Sequence, residues 1–161
     1  MAVTANINLL CNVDETFNED ALSNQTLTHG GYNLTGLLLD SGTTPPVTTV
    51  SAQDYTLSSG TKTIDLTALL GVRDTSQDCT GLKPQFLLLI NPSGNNAITI
   101  SGEGANGLSL GSAHTLNGST IRDTRLILDV SESFHDVDGT HKLLVVTGTG
   151  SQSFKLLILL G

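Results

Sequence analysis

The segment His135-Asp136-Val137-Asp138-Gly139-Thr140-His141 gathers residue types that ligate metals. Carboxylates at alternating positions can hold calcium where a loop turns sharply at glycine. The EF-hand pattern also needs a third oxygen ligand and a distal Glu, and both are missing. The two histidines could share a zinc, but neither has a third ligand nearby in sequence. The segment therefore reads as a hairpin turn at Asp138-Gly139, with no metal and no cofactor. Protonation of its histidines at mildly acidic pH is the one further property it could supply.

Asp74 and Asp78 bracket a polar loop and could form the carboxylate pair of a glycosidase, which needs two acids about 5–10 Å apart. Such enzymes usually add aromatic platforms for sugar rings. This chain has no Trp, two Tyr and four Phe, so capping and turn roles are the reading for these side chains. Gly102, Gly104 and Gly107 match the spacing of a dinucleotide fingerprint. That fingerprint works only between a strand and a helix N-terminus, and strands are predicted on both sides here. Ser and His are present, but no nucleophile elbow of the G-x-S-x-G type is assigned. Asn24, Asn33 and Asn117 occupy N-x-S/T sequons, which matter only in a secretory pathway. No catalytic residue is named, and the reading is a non-enzyme.

The elements that would carry these residues are strands. Val3, Ala5, Ile7, Leu9, Cys11 and Val13 alternate with Thr4, Asn6, Asn8, Leu10 and Asn12, the period of a strand with one dry face. Further strands are predicted over Thr26–His29, Asn33–Leu39, Val47–Val50, Lys62–Leu69, Gln85–Asn91, Ala97–Ser101, Asp123–Val130, Lys142–Thr147 and Ser153–Leu160. Turn chemistry separates them at Gly30-Gly31, Pro45-Pro46, Pro92–Asn95, Asn117-Gly118, Asp138-Gly139 and Gly148–Gly150. Asp14–Leu22 is given one short helical turn, and Gly71–Pro84 a surface loop. The pattern predicts an all-β fold in one domain over 1–161, an antiparallel β-sandwich of jelly-roll type.

Composition narrows the function classes. Thr, Ser, Asn and Gly supply 65 of the 161 residues, while charged residues are 14%. A weakly charged, Thr-rich surface suits shells, fibres and lectins better than a cytoplasmic enzyme. The net charge is −8 and the seven cations are scattered, which argues against nucleic acid and against anionic membranes. No stretch is long and apolar enough for a spanning helix. The opening MAVTANINLLCNVDE shows no basic leader or cleavage site, so no secretion signal is expected. Cys11 and Cys79 are accordingly read as free thiols.

One feature exceeds an ordinary sandwich. If Phe86, Leu88 and Ile90 face inward, Leu87 and Leu89 face out; if Phe154, Leu156, Ile158 and Leu160 face inward, Leu157 and Leu159 face out. Each exposed Leu removed from water is worth about 1.5–3 kcal/mol, and contiguous apolar patches mark contact surfaces. Leu87, Leu89, Leu157 and Leu159 are therefore expected to meet another chain, or to lie under a third layer of their own. The N-terminal strand has two readings of equal standing. It is the first strand of the sandwich, or a contact element whose Val3, Ile7 and Leu9 fill a neighbour's groove.

The residues Thr63–Leu69, then Asp78-Cys79-Thr80-Gly81, Phe86–Asn91, Asn95–Ile100, and the ending Val145–Gly150 with a strand closing on Leu160-Gly161, resemble small structural proteins of tailed phages. The likeness covers roughly residues 61 to 161 and is one of strand and turn pattern. It implies a capsid decoration (cement) protein of a virion, made in the host cytoplasm and placed on the capsid surface. The implied partners are the major capsid protein of the same virion and further copies of the chain, as a trimer. A receptor- or glycan-binding module of a phage tail or fibre is the alternative.

Overall fold

The computed structural model describes residues 4–9, 13–17, 25–29, 34–44, 46–71, 75–102, 104–129 and 135–161. Val3, Cys11 and Asp74 lie outside them. Four strands come first: β1 (Thr4–Leu9), β2 (Val13–Phe17), β3 (Gln25–His29) and β4 (Leu34–Asp40). They form two two-stranded antiparallel ribbons, β1–β4 and β2–β3. β1 pairs with β4, from Thr4 opposite Asp40 to Leu9 opposite Leu34, with a register irregularity before Leu9. β2 pairs with β3, from Val13 opposite His29 to Phe17 opposite Gln25. Residues 14–17, the described part of the helical turn expected over Asp14–Leu22, are thus strand: Thr16 favours the pleat, and pairing with β3 overrides the weak local preference.

The remaining strands are β5 (Thr49–Thr56), β6 (Thr61–Asp65), β7 (Leu69–Leu70), β8 (Ser76–Gln77), β9 (Pro84–Asn91), β10 (Ile98–Ser101), β11 (His114–Leu116), β12 (Thr124–Asp129), β13 (Leu143–Thr147) and β14 (Ser153–Leu160). A single 3-10 turn, Leu66–Ala68, interrupts the predicted strand over 62–69. The Asp65 carboxylate caps it, accepting from the Thr67 amide at 2.9 Å and the Thr67 hydroxyl at 2.7 Å. Of the short pair β7–β8, β8 lies inside the predicted 71–84 loop and β7 just before it.

Two four-stranded antiparallel sheets make the body, in the orders β11-β10-β13-β6 and β12-β9-β14-β5. The pairings β5·β14, β6·β13, β9·β12 and β10·β11 are nested like a long hairpin folded over on itself. The sheets face each other across one apolar core. Ile64, Ile98, Ile100, Leu116, Leu144 and Val146 come from the first sheet. Leu87, Leu89, Phe154, Leu156, Ile158 and Leu160 come from the second. The fold is an all-β antiparallel sandwich.

Register assigns faces on the second sheet. β14 behaves as read from sequence: Phe154, Leu156, Ile158 and Leu160 point into the core, and Leu157 and Leu159 to the other side. β9 is the reverse of the expectation. Leu87 and Leu89 are wholly buried in the core, and Phe86 and Leu88 lie on the outer face. The physical reason is pairing: Leu87 stands opposite Ile158 and Leu128, and Leu88 opposite Leu157 and Ile127. Period-two alternation fixes which residues share a face but not which face is inside, and β9 is apolar at both phases. Within this domain Leu87 and Leu89 have no surface to offer another chain.

Candidate functional site

The outer face of the β12-β9-β14-β5 sheet is where the structure concentrates surface of unusual character. Cross-strand register sets three rows: Val50, Leu159 and Phe86; then Ala52, Leu157, Leu88 and Ile127; then Asp54, Lys155, Ile90 and Arg125. Phe86 and Leu159 of the first row are buried with Val47, and Val50 together with Ala5, Ile7 and Leu39 of the ribbon packs against that cluster, partly buried. Leu159 is 2% exposed. The chain's own N-terminal ribbon thus covers the half of this face that holds Leu159, as a third layer. Ile7 packs, partly buried, on the outer face of its own sandwich, while Leu9 stands opposite Leu34 in the β1–β4 pair.

Among the described residues, the face beyond the ribbon stays open. Leu88, Ile90 and Leu157 are half-buried and Ile127 is 39% exposed. A crevice of about 180 Å³ opens here, lined by Ala52, Leu88, Ile90 and Leu157, with Asp54 and Lys155 at its charged end. Lys155 Nζ donates to both Asp54 oxygens, at 2.9 and 2.8 Å. Arg125 lies 3.5 Å from Asp123. Both pairs are solvent-exposed, and such pairs hold their partners weakly.

A second concavity, of about 650 Å³, lies between the β9–β10 turn and the β11–β12 loop. Asn95, Asn96, Asn117, Ser119 and Thr120 line it, and Ile121 stands at its edge, 91% exposed. The two loops are stitched together. The Gly94 amide donates to the Ser119 carbonyl at 2.7 Å, the Ser93 amide to Asp123 at 3.0 Å, and the Thr124 hydroxyl to the Asn117 carbonyl at 2.9 Å. Gly118 is required there, since a Cβ would lie 2.3 Å from the Asn95 carbonyl oxygen.

The HDVDGTH segment is a connection between sheets and not a hairpin turn, because β12 and β13 belong to different sheets. Asp138 organises it. Its Oδ1 accepts from the Thr140 amide at 2.6 Å, the Thr140 hydroxyl at 2.8 Å and the His141 amide at 2.8 Å. These bonds, those of Thr140 above all and then the His141 ring, hold its carboxyl far below the usual range. The His135 and His141 rings stack with centroids 4.3 Å apart. Val137 is fully buried and bonds Leu82 and Gly81 through its backbone, which anchors the loop. Among the described residues no group of three His, Cys, Asp or Glu is placed to hold a metal.

Asp78 caps the neighbouring turn through the Thr80 hydroxyl and amide, which lower its pKa. Cys79 is a free, buried thiol, its pKa pushed up to about 11 by burial and the Asp78 charge. The spacing G-x-S-x-G does occur, at Gly107-Leu108-Ser109-Leu110-Gly111. It is not an elbow: it runs between β10 and β11 with no helix after it, and Ser109 has none of the left-handed backbone strain of a nucleophile turn.

Comparison with protein-family models, curated proteins and solved structures finds no match to this chain. The likeness to tailed-phage structural proteins therefore rests on the sequence pattern alone.

Proposed function

We propose that the chain is a non-catalytic structural protein of a tailed-phage virion, a decoration protein that binds the assembled head. The observation that carries this reading is the outer sheet face, apolar on a strand pair that is already apolar inside, and only half covered by the chain's own ribbon. Such a face is built for protein contact. The strand orders support a jelly roll, since two four-stranded sheets with nested pairings are its topology, and capsid proteins use that architecture. Lectins use it as well, so the topology supports the class and not the partner.

The mechanism is mass action. A protein that binds only the assembled shell lowers that state's free energy by RT ln(1 + [L]/Kd) at each site, about 2.7 kcal/mol when free protein is a hundredfold above Kd. Repeated over a shell, this opposes rupture by heat or internal pressure. The major capsid protein is the proposed partner and the capsid surface the proposed location. Self-association, as a trimer, accompanies it.

The test is to add purified chain to expanded heads of the phage that encodes it. Saturable binding at many copies per head, with a rise in the temperature of head rupture, is the expected result. Heads that bind none of it refute the reading. Virions that carry only a few copies point to the second reading, a receptor- or glycan-binding module of a tail or fibre. The polar cleft lined by Asn95, Asn96, Asn117, Ser119 and Thr120 favours that alternative, because amides and hydroxyls pair with sugar hydroxyls.

A further inference from the structure

Three places in the chain put an amide or acid side chain directly before glycine: Asn106-Gly107, Asn117-Gly118 and Asp138-Gly139. Such a pair can close on itself. The glycine nitrogen lies within reach of the preceding side-chain carbon, and no Cβ obstructs the approach. The sequence ranks the two Asn-Gly pairs equally, and the structure does not. At 106 the peptide group is held at both ends. Its nitrogen, that of Gly107, donates to the Gly104 carbonyl at 3.2 Å, and its oxygen accepts from the Lys142 and Leu143 amides, both at 2.9 Å. Asn106 is fixed besides at a φ of 66°. The Asp138 carboxylate is occupied by donors from Thr140 and His141 and stays ionised, so it has no leaving group to expel.

At 117 the reacting atoms are unencumbered. Asn117 and Gly118 are exposed and line the concavity of about 650 Å³, which gives water access to both. Among the described residues, neither the Asn117 side chain nor the Gly118 amide has a hydrogen-bond partner. Their peptide group is held at its oxygen alone, by the Thr124 hydroxyl at 2.9 Å. We infer that Asn117-Gly118 is a site of spontaneous covalent modification, where the chain exchanges one amide for one carboxylate without an enzyme. The Gly118 nitrogen gives its proton to solvent and attacks Asn117 Cγ. The N–Cγ bond forms, the Cγ–Nδ2 bond breaks, and ammonia leaves. Water then opens the succinimide. Cleavage at Cγ gives Asp on the normal backbone; cleavage at the main-chain carbonyl gives isoaspartate, whose backbone runs through Cβ. One water is consumed and one ammonia released, with no change of oxidation state. Either product places a negative charge in a concavity whose lining carries none. Isoaspartate also lengthens the backbone beside Gly118, where a Cβ would already lie 2.3 Å from the Asn95 carbonyl oxygen. The contact it strains is the 2.7 Å bond from the Gly94 amide to the Ser119 carbonyl, which joins the two loops.

The reaction needs no head and no partner, so its test is separate from that of the decoration reading. Purified full chain is kept warm in mildly alkaline buffer for weeks, sampled, and mapped by peptide mass spectrometry, with a denatured sample alongside. In the native chain residue 117 should convert at least ~10-fold faster than residue 106, the factor set by about one hydrogen bond that must open to release the Gly107 nitrogen. In denaturant, where both loops are open, the two rates should be alike. A native chain unchanged at 117 overturns the assignment, as does one in which 106 converts as fast as 117. The modified fraction, resolved by its added charge on ion exchange, should exchange its Gly94 amide proton at least ~10-fold faster than the unmodified chain, as a loop that opens more often does. Equal exchange would overturn the strain assigned to that contact.

Discussion

Leu87 and Leu88 are adjacent and chemically identical, and the structure gives them opposite fates. Leu87 is wholly buried, wedged between Ile158 of β14 and Leu128 of β12 at the centre of the core. Truncating it to Ala removes its transfer free energy and leaves a cavity that rigid neighbouring strands cannot close, a cost of about 3 kcal/mol within the ~2–5 range for core leucines. Leu88 is half-buried on the outer face against the cluster of Phe86 and Leu159. Its truncation gives up about half of a full Leu burial, roughly 1 kcal/mol. For a domain of this size each kcal/mol shifts the melting temperature by about 2–4 °C. Calorimetry at low concentration should therefore show Leu87→Ala lowered by about 6–12 °C and Leu88→Ala by about 2–4 °C. Urea unfolding should give unchanged slopes for both. Scattering should separate them in the other sense, with Leu88→Ala losing association and Leu87→Ala keeping it. Equal losses, or a larger loss at Leu88, would refute the face assignment and with it the site.

Four further outcomes follow from particular contacts. Asp65, Asp78 and Asp138 are all held below the ordinary aspartate value of 3.8. Their contribution is thus present above that value and lost as pH falls through their folded values. The melting temperature should hold from neutrality to about pH 5 and fall below about pH 4, with Asp138→Asn lower at neutral pH and flatter on the acid side. Gly102→Ala should cost at least ~2 kcal/mol in urea unfolding, because its Cβ would sit 1.3 Å from the Leu108 carbonyl oxygen, which belongs to the backbone and cannot swing away. Cys79 should resist Ellman's reagent in the native state and react at once in denaturant, since burial and a pKa of about 11 deny it both access and thiolate. EDTA should leave the melting temperature unchanged; a drop reversed by calcium or zinc would show a role for Asp136 and Asp138 that their turn geometry does not require.

The sandwich was legible because its strands carry period two and its turns carry Gly, Pro and Asn. β14, β9 and β13 appear within a residue of their predicted bounds. What escaped is informative. β5 continues six residues past Val50, through Ser51-Ala52-Gln53-Asp54-Tyr55-Thr56, where polar residues conceal a strand held by its partner β14 and by Ser51 and Gln53 bonding to Leu70 and Gly71. β11 was hidden in the same way, three residues paired to β10 with a Thr99–Thr115 hydroxyl contact across the pair. The site was half legible. Two-faced leucines announced an apolar outer surface, and Leu157 and Leu159 are on it. Doubly apolar strands have no intrinsic inside, so Leu87 and Leu89 could be placed only once β14 and β12 had fixed the phase. The ribbon that covers half the face was visible as an alternation at Val3–Val13, but its partner, residues 34–40, lies too far along the chain for local pattern to connect them.

Asp54 and Lys155 are neighbours across β5 and β14, yet 101 positions separate them along the chain. Among the described strands β5 has no other neighbour in its sheet, and β14 is the strand that joins it to β9. The sheet therefore cannot grow by accretion in synthesis order: β5 and β9 must wait, unpaired with each other's side, until residues 153–160 have left the ribosome. Pairings of this span place folding in the millisecond-to-second range, about as slow as small domains get. During that interval the run Phe86-Leu87-Leu88-Leu89-Ile90, apolar at both phases, has only β12 to pair with and leaves its other edge open. Segments with that character drive aggregation unless they are shielded. The yield of soluble protein should thus depend on how quickly β14 arrives, and slowing translation before residue 153 should deplete the folded pool without altering the stability of the molecules that reach it.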